Sequence, residues 1–166
     1  MIEFEVPGPA VAKARPRIVT LTSKSGRHFS HGFTPKKTAN YENWVKLCFD
    51  EARPDGFEPY TGPVELYVRV YQDIPASFSK KKRQAALDGL ILPITKPDID
   101  NFLKIFMDAL SGLCFLDDKQ VVYASVSKLY RRRPTAFVRI EEVTTGALGW
   151  YEADRISPLP KREYQI

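Results

Sequence analysis

The chain has 166 residues, 43% of them hydrophobic, with 25 Lys and Arg against 20 Asp and Glu and a net charge of +5. That composition is ordinary for a globular protein with one buried core, and no apolar run approaches the ~20 residues that a membrane helix needs. The start, Met1-Ile2-Glu3-Phe4-Glu5-Val6, lacks the basic and apolar regions of a signal peptide, and Cys48 and Cys114 lie among apolar neighbours as reduced buried thiols would, so a reducing cytoplasm is expected.

Residues 2–6 alternate Ile2, Phe4 and Val6 with Glu3 and Glu5, the period of a half-buried strand. A second strand is expected over 17–22, returned by Ser23-Lys24-Ser25-Gly26 into 27–30 as a hairpin. Thr34-Pro35 predicts a helix start, with Thr as cap and Pro in the first turn. That helix runs to Ala52 with Tyr41, Trp44, Val45, Cys48 and Phe49 on its apolar stripe. Residues 64–71 are β-branched and aromatic, hence a strand near the sheet centre. A short basic helix over 79–87, a brief extended segment over 91–95 and a second long helix over 101–113 follow. Strands at 120–130 and 135–143 are expected to pair as a hairpin through Arg131-Arg132-Arg133-Pro134. The order β-β-β-α-β-α-α-β-β predicts an α/β protein of the α+β kind: one small domain, a mixed sheet and two long helices packed on it. Residues 1–143 make up that domain. Residues 144–166, rich in Gly, Pro and charge, are expected as a peripheral tail with Trp150 and Tyr151 docked on the body.

The positive charge is grouped. Lys13, Arg15 and Arg17 share one Pro-containing loop, Lys36 and Lys37 open a helix, and Lys80, Lys81, Lys82 and Arg83 run together. Arg131, Arg132 and Arg133 form a fourth block. One such block is ordinarily a solvated face; four around an acidic centre point to nucleic acid.

That centre is Lys96-Pro97-Asp98-Ile99-Asp100-Asn101-Phe102-Leu103-Lys104, with Leu116-Asp117-Asp118 downstream. A residue before proline is held extended. If the chain stays extended through Asp100, then Asp98 and Asp100 share a face and Ile99 turns into the core. On the helix that follows, Asp100, Lys104 and Asp108 recur at spacings of four as one polar stripe on a mostly apolar helix. Convergent carboxylates repel unless a cation offsets them, and Asp oxygens with no His or Cys suit a hard ion such as Mg²⁺. Plainer readings exist for each part: Asp100 as a helix cap, Lys104 and Asp108 as a surface pair, Asp117-Asp118 as a turn. A helix N-terminus also disfavours a cation, so Asp98 and Asp118 are expected to oppose its partial charge.

The run KPDIDNFLKIFMDALSG, with FLDDKQVV after it, closely resembles the RusA-type Holliday junction resolvases of bacteria and their phages. Arg15-Pro16-Arg17, Tyr41-Glu42-Asn43-Trp44 and Ser79-Lys80-Lys81-Lys82 fit the same resemblance, which spans residues 2–143. It implies a small α/β homodimer that cleaves four-way DNA junctions with Mg²⁺, Mn²⁺ serving as a substitute. Carried over by motif, Asp98, Asp100 and Asp118 are the metal-binding carboxylates, Lys104 is the functional lysine, and Asp117 is a supporting group. The two acidic elements lie one residue closer than in some members, which leaves Asp117 and Asp118 to be distinguished. The longer tail has no counterpart role.

The expected chemistry is phosphodiester hydrolysis by metal-activated water, with one or two ions and with Lys104 offsetting transition-state charge. The basic blocks are expected to hold the DNA backbone. A nuclease for flaps or other branched DNA, a non-catalytic DNA-binding protein, and a Mg²⁺ phosphatase for a small substrate are the competing readings. The last leaves the basic blocks unexplained.

Overall fold

The computed structural model describes residues 1–15, 17–22 and 28–143. The tail with Trp150 and Tyr151, and the turn between the second and third strands, lie outside the described residues.

The main sheet has four strands in the order β1-β6-β4-β5: β1 (Ile2–Pro7), β6 (Thr135–Glu142), β4 (Val64–Asp73) and β5 (Val121–Arg131). β1 pairs antiparallel with β6, β6 antiparallel with β4, and β4 parallel with β5. The sheet is therefore mixed and the fold is α+β, as its element order predicts. Among the described residues three α-helices complete the body: α1 (Lys36–Ala52), α2 (Lys80–Leu87) and α3 (Ile99–Leu110). β2 (Arg17–Thr22) and β3 (His28–Phe33) form a separate two-stranded arm.

Alternation decides which face of the sheet is covered. Ile2, Phe4 and Val6 on β1, Leu66, Val68 and Val70 on β4, and Ala136, Val138 and Ile140 on β6 are all buried. The aromatics and charges between them, such as Tyr67, Arg69, Phe137 and Arg139, take the opposite face. α1 lays Tyr41, Val45, Cys48 and Phe49 on the apolar face, and α3 adds Phe102, Ile105, Phe106 and Leu110. Phe49, Phe102, Phe106 and Phe115 are fully buried, each contributing about 1.5–3 kcal/mol by leaving water.

Three expectations change. β5 and β6 are not a hairpin, because β4 lies between them and pairs with both. β4 has the most buried apolar run and gains two neighbours this way, while the short arginine turn needs to cross only two strand spacings, about 9.6 Å. Thr34 is not the cap of α1: Pro35 takes that position, its carbonyl accepting from Thr38 (2.9 Å) and Ala39 (3.1 Å). Trp44 stands 39% exposed at the margin of the stripe, its indole N–H donating to the Pro7 carbonyl at 2.9 Å.

Candidate functional site

α3 begins two residues earlier than its apolar pattern predicts. Asp98 is the N-cap, without a side-chain cap bond, and Asp100 lies in the first turn. Ile99 is helical and 46% exposed rather than turned into the core. The two carboxylates therefore flank the helix N-terminus, the positive end of the helix dipole. Asn101 donates to Asp100 Oδ1 at 3.3 Å.

Beyond this turn, α3 is buried or half-buried except at Lys104 and Asp108. Exposure at 100, 104 and 108 repeats every four residues, about 6 Å of rise each, and makes a polar ridge on an apolar helix. Asp108 does not pair with Lys104. Its Oδ2 lies 2.5 Å from Lys13 Nζ, which also bonds Glu42 Oε1 at 2.6 Å. Among the described residues Lys104 enters no ion pair, and it follows Asp100 by one turn of α3.

The peptide ahead of Asp98 is fixed by a residue that the motif reading missed. Lys128 on β5 donates from Nζ to the carbonyls of Thr95 (3.0 Å) and Pro97 (2.9 Å). Its signal in the sequence was parity: Ala124, Val126 and Lys128 share the helix-facing side of β5, where a lysine needs a polar partner.

Asp117 and Asp118 have different surroundings. Asp117 caps the 3₁₀ turn Asp118–Gln120; its carboxylate accepts from the Lys119 amide at 3.0 Å and faces Lys119 Nζ at 3.3 Å. The Lys119 amide and ammonium hold the Asp117 carboxyl below the ordinary carboxylate range. Gln120 completes the cap, accepting from the Asp117 amide (2.9 Å) and donating to the carbonyls of Tyr60 (2.9 Å) and Gly62 (2.8 Å). Asp118 has its side chain in solvent.

The two acidic groups do not meet within the chain. Asp98 and Asp100 open α3, whose 12 residues span about 18 Å. The loop closing its far end, with Gly112 N–H bonded to the Phe115 carbonyl at 2.7 Å, leads on to Asp118. Lys128 anchors the start of α3 seven strand residues further along β5 than Val121, so the separation runs the length of the helix. Among the described residues, no three His, Cys, Asp or Glu side chains gather as a metal-holding group.

The basic residues fall on several surfaces. Arg15 is exposed at the root of the arm and Arg17 opens β2. Lys36 and Lys37 are exposed on the first turn of α1, and Lys80, Lys81, Lys82 and Arg83 are exposed on α2. Arg83 is tied to the carbonyls of Phe78 (3.0 Å) and Ala76 (2.9 Å), and Lys82 Nζ sits 4.2 Å from the Phe78 ring centroid. Arg131 stacks on Tyr71 (5.1 Å) and Phe137 (5.6 Å), on the sheet face away from α3. A cavity of about 540 Å³ on that face is lined by Glu3, Tyr67, Arg69 and Arg139. It contains none of Asp98, Asp100, Asp117 and Asp118.

An α+β domain carrying an exposed carboxylate and lysine ridge, with basic surfaces around it, has the build of an enzyme that works on nucleic acid. A family model described as endodeoxyribonuclease RusA matches residues 7–141, and the chain belongs to that family of endodeoxyribonucleases. It is also similar to a Bacillus subtilis (strain 168) protein, the uncharacterized protein YqaN, at 41% identity over 145 residues, covering 86% of this chain and 97% of that one. Among the described residues, no helix is long and apolar enough to cross a membrane.

Proposed function

We propose that this protein is a Mg²⁺-dependent, structure-specific endodeoxyribonuclease that resolves four-way DNA junctions by hydrolysing phosphodiester bonds in recombination and repair. The observation that carries the proposal is the exposure of Asp98, Asp100 and Lys104 together on the first turns of a helix that is largely buried, in a chain of the RusA family.

The donor set fits the ion. Asp98 and Asp100 offer hard carboxylate oxygens, and Mg²⁺ is commonly held by one or two carboxylates together with substrate phosphate. When bound, the ion lowers the pKa of a water it holds and neutralises charge on the phosphate. Asp98 and Asp100 would hold it at the start of α3, and Asp118 is the third carboxylate of the proposed set. Asp117 is the supporting group, keeping the Asp118 turn in shape through its cap. Lys104 would face the phosphate and offset charge that grows in the transition state. Arg15, Arg17, Lys36, Lys37, Lys80, Lys81, Lys82 and Arg83 would bind the DNA backbone, releasing counterions and making affinity fall with salt.

The protein would act as a homodimer. A four-way junction has two-fold symmetry, which a C₂ pair of sites matches. Among the described residues no three carboxylates gather in one chain, which supports a site completed by a second copy. Sedimentation at micromolar concentration should show a dimer; monomer alone would count against this part.

The test is incubation with a labelled four-way junction, a flap and a linear duplex, each in Mg²⁺ and in EDTA. Paired symmetric nicks on the junction, absent in EDTA, are expected. Preference for the flap would move the substrate to other branched DNA, and binding without cutting under every metal would leave a DNA-binding protein.

A further inference from the structure

Three sequence motifs meet at one ammonium group. Lys13 belongs to the loop that leads through Arg15 into the β2–β3 arm, Glu42 to the Tyr41-Glu42-Asn43-Trp44 element of α1, and Asp108 to the ridge of α3. Lys13 Nζ lies 2.6 Å from Glu42 and 2.5 Å from Asp108, and its backbone N–H donates to the Asn101 carbonyl at 2.8 Å. The Lys13 side chain is 22% exposed and that of Glu42 19%, so both charges are largely withdrawn from solvent. Burial works against the charge on Lys13, yet bonding to Asp108 and Glu42 outweighs it and leaves the pKa above its ordinary value. An ammonium already bonded to two protein carboxylates is not one offered to phosphate.

The position of the pair in the chain explains what it could do. Lys13 and Glu42 are 29 residues apart, and the whole arm lies between them. The arm's strands pair with each other and not with the main sheet. Lys13–Glu42 thus closes the arm at its two roots, and Lys13–Asp108 ties that closure to the helix bearing Asp100 and Lys104.

We infer that Lys13 is a positioning residue: it fixes the bearing of the basic arm on α3, so that DNA held by the arm meets the acidic ridge in register for cutting. This rests on the nuclease reading above. Remote misplacement by about 1 Å can cost on the order of 10²-fold in rate, which is the scale expected here.

The experiment has two arms. In the first, spin labels at Ile18→Cys on the arm and Asp55→Cys on the body report the arm's bearing without any DNA; Ile18 is 73% exposed, and native Cys48 and Cys114 are buried. Wild type and Lys13→Arg should give one narrow distance distribution, and Lys13→Met a broad or shifted one. In the second, single-turnover cutting of a four-way junction should fall on the order of 10²-fold in Lys13→Met, with junction affinity kept within about threefold, and Lys13→Arg should recover most of the rate. Glu42→Gln removes one partner only and should be intermediate in both arms; it replaces Lys13→Met if that variant does not fold. Unchanged distances overturn the inference, as does cutting at the wild-type rate by an arm that has moved. A loss of affinity with one fewer ion in the salt slope and unchanged distances would make Lys13 a phosphate contact instead. If wild type cuts no DNA, the nuclease reading fails by itself, while the distances still decide whether Lys13 sets the arm.

Discussion

Lys128 on β5 holds the carbonyl of Pro97, the peptide that delivers Asp98, at 2.9 Å. A second bond from the same ammonium to the Thr95 carbonyl at 3.0 Å grips this segment twice. The acidic pair is therefore located by the sheet as well as by its own helix. Lys128→Met should leave the fold intact, lower stability by about 1 kcal/mol, and slow junction cutting on the order of 10-fold by loosening the approach to Asp98. Single-turnover rates beside a thermal melt would separate the two effects. Wild-type cutting by the variant would show that Asp98 needs no such support.

Gln120 should matter more to stability than its place in an exposed turn implies. Its amide satisfies the backbone of Asp117, Tyr60 and Gly62 at once. Gln120→Ala would strand those groups and is expected to cost about 1–3 kcal/mol, seen as a lower urea midpoint with unchanged slope.

The packing between α1 and α3 gives a contrasting pair of substitutions. Phe106 is fully buried and meets Tyr41 edge to face at 6.1 Å between centroids. Phe106→Ala should cost about 3–5 kcal/mol through lost burial and a cavity. The Tyr41 hydroxyl is buried and has no hydrogen-bond partner among the described residues. Tyr41→Phe should therefore cost nothing, or raise the melting temperature, since it removes a polar atom that is costly to bury unpaired. A clear loss of stability in Tyr41→Phe would mean that this hydroxyl is bonded in solution.

Alkali should destabilise the protein. Burial pushes the Cys114 thiol from its ordinary 9.0 up to about 12, and burial also raises Cys48 and Tyr41. The unfolded chain would lose these protons at lower pH than the folded one. Their contribution to stability is thus whole below about pH 9 and is lost as pH rises toward about 12. Denaturant midpoints measured from pH 7 upward should fall through that window. Thiol reagents at pH 8 should leave both cysteines unmodified until the chain unfolds.

Periodicity made most of this fold legible. The alternation of Ile2, Phe4 and Val6, the stripe through Tyr41, Val45, Cys48 and Phe49, and the β-branched run after Val64 each report a local face, and each lies buried as expected. Which strands become neighbours is a long-range matter that local pattern does not encode, so β5 and β6 read as a hairpin although β4 intervenes. The acidic residues of the candidate site were legible by type and spacing. Their placement was not: the helix starts at Ile99, so the alternation assumed for Asp98 and Asp100 does not apply, and the helix length keeps Asp118 away. Lys13 read as one more cation in a basic loop, because its partners Glu42 and Asp108 are distant in sequence.

The central claim is that the exposed ridge at the start of α3 cuts DNA. It is tested most directly by single-turnover cleavage of a labelled four-way junction in Mg²⁺ by wild type and Asp100→Asn, with junction binding measured on the same preparations. The account predicts paired symmetric nicks by wild type, loss of cutting by at least about 10²-fold in the variant, and binding retained or tightened as a negative charge leaves the DNA face. Cutting by Asp100→Asn at the wild-type rate would contradict it, and the chemistry would then have to be sought away from α3.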